Sequence, residues 1–350
     1  MKIVVDSKIP YIKGVFEPYI ENGEVSYIAG GQISAEDVKD ADALIVRTRT
    51  QCDKHLLDES NVRIVASATI GADHLDINYL DSRGIKWVTA PGCNAGGVCQ
   101  YVFTSLFAIA ERKNINLSQK TIGIIGVGNV GSRVADLALN LGFKVFYNDP
   151  PRERIEGGDY FCTLEHLLEK SDIVTCHVPL DTITEGMAGD AFFSKLKNGN
   201  IFINTSRGEI VDEKALLENI ELGKFAAVIL DVWKNETSGI SEELLSKVDI
   251  ATPHIAGYSL EGKQNGTVAV VRAVAKELRL RELEEFEIVS KSGETPSLEL
   301  FPPKNRKQLA DSMLGVFPIW ELDSQLRNAP NEFERIRSDY DMRREFIVKL

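Results

Sequence analysis

Apolar residues recur along this chain in short blocks, and polar or helix-periodic stretches separate them. Lys2–Val5, Ala43–Val46, Ile64–Ala68 and Trp87–Thr89 are runs of strand length and composition. The segments between them are amphipathic or polar, so the opening third predicts a parallel sheet covered by helices. A helix follows from about Gly97 to Arg112, with Val98, Tyr101, Val102, Ser105, Leu106 and Ile109 on its packed face. Strand blocks then resume at Thr121–Ile125, Lys144–Asn148, Ile173–His177, Asn200–Asn204, Ala227–Asp231 and Asp249–Ala251. Leu164–Lys170, Ala191–Leu196 and Glu213–Leu222 are the helices predicted between them. A long helix from about Leu260 to Leu283 comes next, and its far end is expected to return to the first domain.

One of these strand–helix–strand units carries chemistry. Thr121–Ile125 runs into Gly126, Gly128 and Gly131, a G-x-G-x-x-G turn with Asn129 and Val130 between the last two glycines. Val134, Leu137, Ala138 and Leu141 continue at helical spacing, and Gly142 ends the helix. Gly126 permits the tight turn, Gly128 lets the backbone approach a pyrophosphate, and Gly131 lets helix and strand pack closely. The first N–H groups of the helix and its dipole favour an anion there. Asp149 closes the second strand, where a carboxylate can bond both ribose hydroxyls of a dinucleotide. The acid favours NAD over NADP, because a 2′-phosphate would meet its charge. Arg152 and Arg154 are the nearby cations for such a phosphate, and they read more simply as solvated loop charges.

Past Phe286 the pattern changes. Pro296, Pro302 and Pro303 interrupt it, and the rest is polar and helical in character. Phe301, Leu309, Met313, Leu314, Val316, Phe317, Ile319 and Trp320 need burial, so an appended oligomerisation element is expected rather than a disordered tail.

Composition narrows the function classes. The 350 residues suffice for two or three domains, and 43% hydrophobic with 26% charged residues is ordinary for a globular chain. A net charge of −12 argues against a broad nucleic-acid or anionic-membrane surface. No stretch is apolar enough to span a bilayer, and the N-terminus lacks a signal peptide's apolar core, so a cytoplasmic location is expected. Cys52, Cys93, Cys99, Cys162 and Cys176 form no CxxC and read as reduced thiols. His55, His74, His166, His177 and His254 show no ligand spacing, so no metal is expected.

Three polar residues fall in strand-end loops after the glycine turn: Arg207, Glu236 and His254. In a doubly wound sheet, such loops surround the nucleotide crevice. Their residue types suit removal of a hydroxyl proton beside a cofactor that accepts a hydride. An imidazole can take that proton near neutral pH, a carboxylate can fix the ring's tautomer, and an arginine fork can grip a substrate carboxylate. Glu242 and Glu243, the other nearby acids, look like exposed helix residues.

The glycine turn, Asn204-Thr205-Ser206-Arg207-Gly208, the Asp231–Glu236 stretch and Pro253-His254-Ile255-Ala256-Gly257 together resemble the D-2-hydroxyacid dehydrogenases. Asp6–Tyr11, Ala68–His74, Ala90–Ala95, Asp149-Pro150-Pro151-Arg152 and Pro253–Lys263 narrow the likeness. They are similar to the branch of that family that oxidises 4-phosphoerythronate in vitamin B6 synthesis. The match covers residues 1–285 well, and the tail matches mainly at Phe333–Phe346.

The resemblance implies an α/β fold of two doubly wound parallel-sheet domains plus a small C-terminal α+β domain. Residues 1–95 and about 258–285 would form a flavodoxin-like substrate domain, 96–257 a Rossmann NAD domain, and 286–350 a dimerisation domain. It also implies Arg207, Glu236 and His254 as catalytic residues. Val178, Thr205, Ser206, Asp231 and Gly257 would lie near NAD, with Asp231 facing the nicotinamide amide. Thr48 and Thr69 match substrate-contact positions. Tyr258 is a candidate to donate its phenol to substrate, from its own chain or across a dimer interface. The implied partners are a small phosphorylated 2-hydroxy acid and a second copy of the chain. The other reading is a nucleotide-sensing binding protein on the same scaffold, which binds NAD and turns over no hydroxy acid.

Overall fold

A computed structural model describes residues 1–288, 295–300 and 304–349. Phe301, Pro302 and Pro303 lie outside the described residues. The chain divides into two compact units, Met1–Asn94 with Ser259–Glu294, and Ala95–Tyr258 with Thr295–Leu350.

The first unit is a five-stranded parallel sheet. Its strands are β1 (Lys2–Asp6), β2 (Glu24–Ile28), β3 (Ala43–Val46), β4 (Ile64–Ser67) and β5 (Lys86–Val88), in the order β2-β1-β3-β4-β5. Strand periodicity sends alternate residues to opposite faces. Ile3, Val5, Ala43, Ile45, Ile64 and Ala66 meet Val270, Val271, Val274 and Ala275 of the Leu260–Leu278 helix. Val4, Leu44, Val46 and Val65 pack instead with Leu56, Leu57 and Leu80. Both faces are covered, which is why these strands read as continuous apolar runs. The sequence pattern misses β2, because an edge strand bearing Glu24 and Ser26 lacks the apolar run of its neighbours.

The second unit carries six parallel strands: β6 (Thr121–Ile125), β7 (Lys144–Asn148), β8 (Ile173–Cys176), β9 (Asn200–Asn204), β10 (Phe225–Leu230) and β11 (Ile250–Ala251). Their order is β11-β10-β9-β8-β6-β7, and a single bridge from Tyr147 to Phe161 extends the β7 edge. The chain runs outward from β6 to β7 and then returns to the other side of β6. The carboxyl ends of β6 and β8 therefore flank a topological switch point, where open α/β sheets bind ligands.

The helix predicted from about Gly97 spans Ala95–Arg112. It is buried almost all round, because residues from the tail cover its outer side. Leu309, Ala310 and Met313 of the Arg306–Leu314 helix, with Phe317 and Ile319, join the core formed by Val98, Tyr101, Val102 and the inward residues of β6. Most of the tail's apolar residues thus find burial inside their own chain, at roughly 1.5–3 kcal/mol for each large side chain. Leu314, Val316 and Trp320 are partly buried, and the Trp320 ring lies under the Arg112 guanidinium. Two short strands, β12 (Ser297–Glu299) and β13 (Ile347–Lys349), pair in parallel beside these helices.

Candidate active site

At the switch point, Gly126 takes φ +83°, a backbone conformation that L side chains rarely adopt. A Cβ there would stand 2.7 Å from the His177 carbonyl oxygen. A Cβ on Gly131 would collide with the Gly126 carbonyl, so helix and strand pack closely only with glycine. A Cβ on Gly128 would meet nothing, leaving open space beside the start of the Asn129–Asn140 helix. No side chain caps that helix start, and Gly128 and Asn129 are exposed. These amides fit a pyrophosphate. Changing Gly131 to alanine is expected to cost about 1–3 kcal/mol of packing and to weaken NAD binding roughly 5- to 150-fold. Titration with reduced nicotinamide fluorescence reads this, and unchanged affinity would dispose of the close-packing argument.

Asp149 caps the Pro150–Glu156 helix: Oδ1 accepts the Arg152 N–H at 3.1 Å, and Oδ2 accepts the Val127 N–H at 2.8 Å. A carboxylate has about four lone-pair sites, so two remain for ribose hydroxyls. Arg152 is not the solvated charge expected from sequence. It donates to Val127 O, pairs with Glu156 at 2.6 and 2.8 Å, and lies 5.8 Å from the centroid of the Phe161 ring. A cation so engaged is poorly placed to serve a 2′-phosphate, and Arg154 stands exposed. The site therefore fits NAD.

At the end of β9, Asn204 Oδ1 accepts the Ser206 N–H at 3.0 Å and its amide donates to Arg207 O at 2.9 Å. Ser206 Oγ donates to Cys176 O at 2.7 Å, tying this turn to β8. Thr205 Oγ1 lies 3.3 Å from His177 Nδ1, and burial pushes the His177 imidazole down to about 3. Arg207 is half-buried, with Nη1 donating to Ser206 O at 2.9 Å. Gly208 lies so close to the Trp233–Lys234 backbone that any side chain would collide with it. That contact brings the arginine's turn against the loop carrying Glu236.

The loop after β11 folds around Asp231, at the end of β10. Asp231 is 1% exposed, and its carboxylate accepts from Thr252 Oγ1 at 2.7 Å and from the Ile255 and Ala256 N–H groups at 2.8 Å each. Its carbonyl accepts the His254 N–H at 2.7 Å. Burial pushes the Asp231 carboxyl above its ordinary range, against the pull of His254, Thr252 and the two amides. The turn so built holds His254 at φ +54°, a left-handed conformation uncommon outside glycine.

His254 Nδ1 faces Glu236, at 2.7 Å from Oε2 and 2.9 Å from Oε1. With Nδ1 so engaged, Nε2 is the ring atom left for substrate. Glu242 and Glu243 are exposed helix residues. Burial alone would raise the Glu236 carboxyl. The bond and charge of His254, the Arg337 guanidinium and the Trp233 N–H outweigh it and hold Glu236 below its usual range.

Val178, just past β8, and Gly257, in the loop after β11, are half-buried, and Tyr258 stands beside the turn of His254. In the first unit Thr48 is exposed, while the half-buried Thr69 Oγ1 lies 2.8 Å from Ser67 Oγ. His74 is buried, with Nε2 on the same serine at 2.9 Å, in keeping with a structural role. Sequence reasoning missed Asn204, Thr252, Arg337 and Arg343. Asn204 lies inside a motif already singled out and Thr252 borders one, while the two arginines sit in the family-like Phe333–Phe346 stretch, where no motif ties them to chemistry. Among the described residues no group of His, Cys, Asp and Glu side chains is arranged to hold a metal ion, and no helix is long and apolar enough to cross a membrane.

A nucleotide cradle at the switch point and an oriented imidazole in the loop after β11, three strands from β8, can move a hydride and a proton together, which is the work of a pyridine-nucleotide dehydrogenase. Residues 106–256 match the family "D-isomer specific 2-hydroxyacid dehydrogenase, NAD binding domain". An erythronate-4-phosphate dehydrogenase of Bacteroides fragilis is 42% identical over 355 residues, covering 99% of this chain and 97% of its own. One from Bacteroides thetaiotaomicron is 43% identical with the same coverage. Among solved structures, an NAD+-bound 3-phosphoglycerate dehydrogenase of Entamoeba histolytica superposes with a TM-score of 0.67 at 26% identity, over 83% of this chain and 99% of that one. The chain belongs to the erythronate-4-phosphate dehydrogenases, a branch of the D-2-hydroxyacid dehydrogenase family.

Proposed function

We propose that the protein oxidises 4-phospho-D-erythronate to (R)-3-hydroxy-2-oxo-4-phosphooxybutanoate, a step in the synthesis of pyridoxine 5′-phosphate. The observation that carries this reading is the Glu236–His254 pair, which leaves one imidazole nitrogen for the substrate. His254 takes the proton of the C2 hydroxyl through Nε2. Glu236 fixes the ring's tautomer and favours the charged form that results. Arg207 binds the substrate carboxylate and polarises the C2 oxygen. Bound NAD supplies the hydride acceptor.

The amides around Gly126, Gly128, Asn129, Val130 and Gly131 would hold the pyrophosphate, and Asp149 the ribose. Val178, Thr205, Ser206, Asp231 and Gly257 would line the cofactor's nicotinamide half. For Asp231 the engaged carboxylate favours action through the turn it builds. Thr48, Thr69 and Tyr258 are assigned to the substrate, whose phosphate and hydroxyls suit threonine hydroxyls, nearby N–H groups and a phenol. The family likeness supports a homodimer formed through the C-terminal residues. Among the described residues no disulfide joins the five cysteines, which suits a reducing cytoplasm.

The test is direct. Purified protein with NAD and 4-phosphoerythronate is expected to generate the absorbance of reduced nicotinamide. Ready turnover of 3-phosphoglycerate in its place would overturn the substrate assignment. Tight NAD binding with turnover of neither acid would point to a sensor.

A further inference from the structure

Arg337 belongs to the Phe333–Asp339 helix, in a part of the sequence that resembles the family but carries no motif tied to chemistry. Its guanidinium nevertheless reaches two groups of the catalytic region. Nε donates to the Tyr258 phenol oxygen at 3.1 Å, and Cζ lies 5.6 Å from the centroid of that ring. Nη1 lies 3.8 Å from Glu236 Oε2, the same oxygen that stands 2.7 Å from His254 Nδ1. Glu334, on the same helix, is 3.6 Å from Nη1.

We propose that Arg337 is a positioning residue for proton transfer, holding Glu236 ionised behind His254 and holding the Tyr258 phenol in place. The inference rests on the reading of His254 as the acid/base. A carboxylate set between an imidazole and a guanidinium keeps its charge at lower pH than one facing the imidazole alone. The planar fork also spans two targets that a single ammonium would not span together. The groups facing Glu236 are His254 and Arg337; Tyr258 and Glu334 face Arg337 from its other sides, and Asp231 lies behind the turn of His254. Burial works against the guanidinium's charge, yet Tyr258, Glu236 and Glu334 hold Arg337 above its usual range. The arginine is thus a fixed cation at every pH where the enzyme works.

The experiment compares full-length Arg337→Gln and Arg337→Lys enzymes with the parent, recording kcat and KM for 4-phosphoerythronate across pH. Arg337→Gln is expected to lose about tenfold in kcat. Its acid limb of kcat/KM should move to higher pH by about half a unit or more, because Glu236 then protonates sooner. Arg337→Lys should restore the limb and leave KM raised, since a point charge replaces the fork. A folded Arg337→Gln enzyme with an unmoved acid limb would overturn the proposal, even if its activity fell in step with its melting temperature. Should that variant fail to fold, Arg337→Lys decides: a raised KM with the parent's limb supports the proposal, and a parental KM overturns it. A His254→Asn enzyme run beside them separates the two ideas, because retained activity there defeats the acid/base reading itself.

Discussion

Replacing His254 with asparagine is expected to lower kcat by about 10²–10⁴-fold, the usual contribution of a positioned acid/base. Asparagine is the informative choice because the backbone at this position is left-handed, at φ +54°. Asn tolerates that conformation better than most residues, so loss of activity will report chemistry rather than a refolded turn. Binding of NAD should stay near the parent value, since the cofactor cradle lies at the ends of β6 and β7. Steady-state rates and a nicotinamide fluorescence titration measure the two effects separately. A fall in kcat of less than tenfold would remove His254 from the proton-transfer step.

Changing Asp231 to alanine is expected to damage stability and turnover together. Three donors, the Thr252 hydroxyl and the Ile255 and Ala256 amides, lose their acceptor in a site that water barely reaches. Each stranded buried donor costs about 1–3 kcal/mol, so a loss of several kcal/mol is expected. The same change frees the turn that presents His254, and kcat should fall by roughly 10²-fold or more, as small displacements of catalytic groups do. Thermal melting and steady-state kinetics on one preparation test both parts. A marked loss of stability with full kcat would show that the turn holds without its carboxylate.

The two predictions differ in how visible their residues are in the sequence. The central strands of both sheets could be read because they are buried on both faces, and the edge strands β5 and β7 because they keep a short apolar run despite partial exposure. The strand that escaped, β2, bears Glu24 and Ser26 and mixes polar with apolar residues. Gly126, Gly128, Gly131 and Asp149 could be read because the turn imposes its residue types at fixed spacing. His254 and Glu236 could be singled out by residue type and by their place in strand-end loops. Their pairing was expected from the acid–base chemistry and the family likeness, while its geometry depends on how β10 and β11 lie side by side. Asp231 carried a functional assignment and turned out to bracket the His254 turn from behind. Arg152 looked like loop charge and is pinned to its neighbours.

The tail was the least legible part. Its apolar residues called for a partner, and most of them find one in the Ala95–Arg112 helix of the same chain. An arginine far along the sequence leaves no periodic signal when its acceptors are backbone carbonyls.

Arg343 is buried, and its guanidinium donates to the carbonyls of Gly97, Ile255, Ala256 and Tyr258 while stacking 4.1 Å over Phe317. It lies 85 residues beyond Tyr258 in the chain. At about 5–20 residues per second, the loop bearing His254 leaves the ribosome roughly 4–17 seconds before the arginine that fastens it. Until then the nascent sheet has its glycine cradle and its strand-end residues but no clamp on the loop. The enzyme's competence is therefore timed by translation of its tail, and a stalled or nicked chain lacking that segment would keep a nucleotide site with an unfastened catalytic turn.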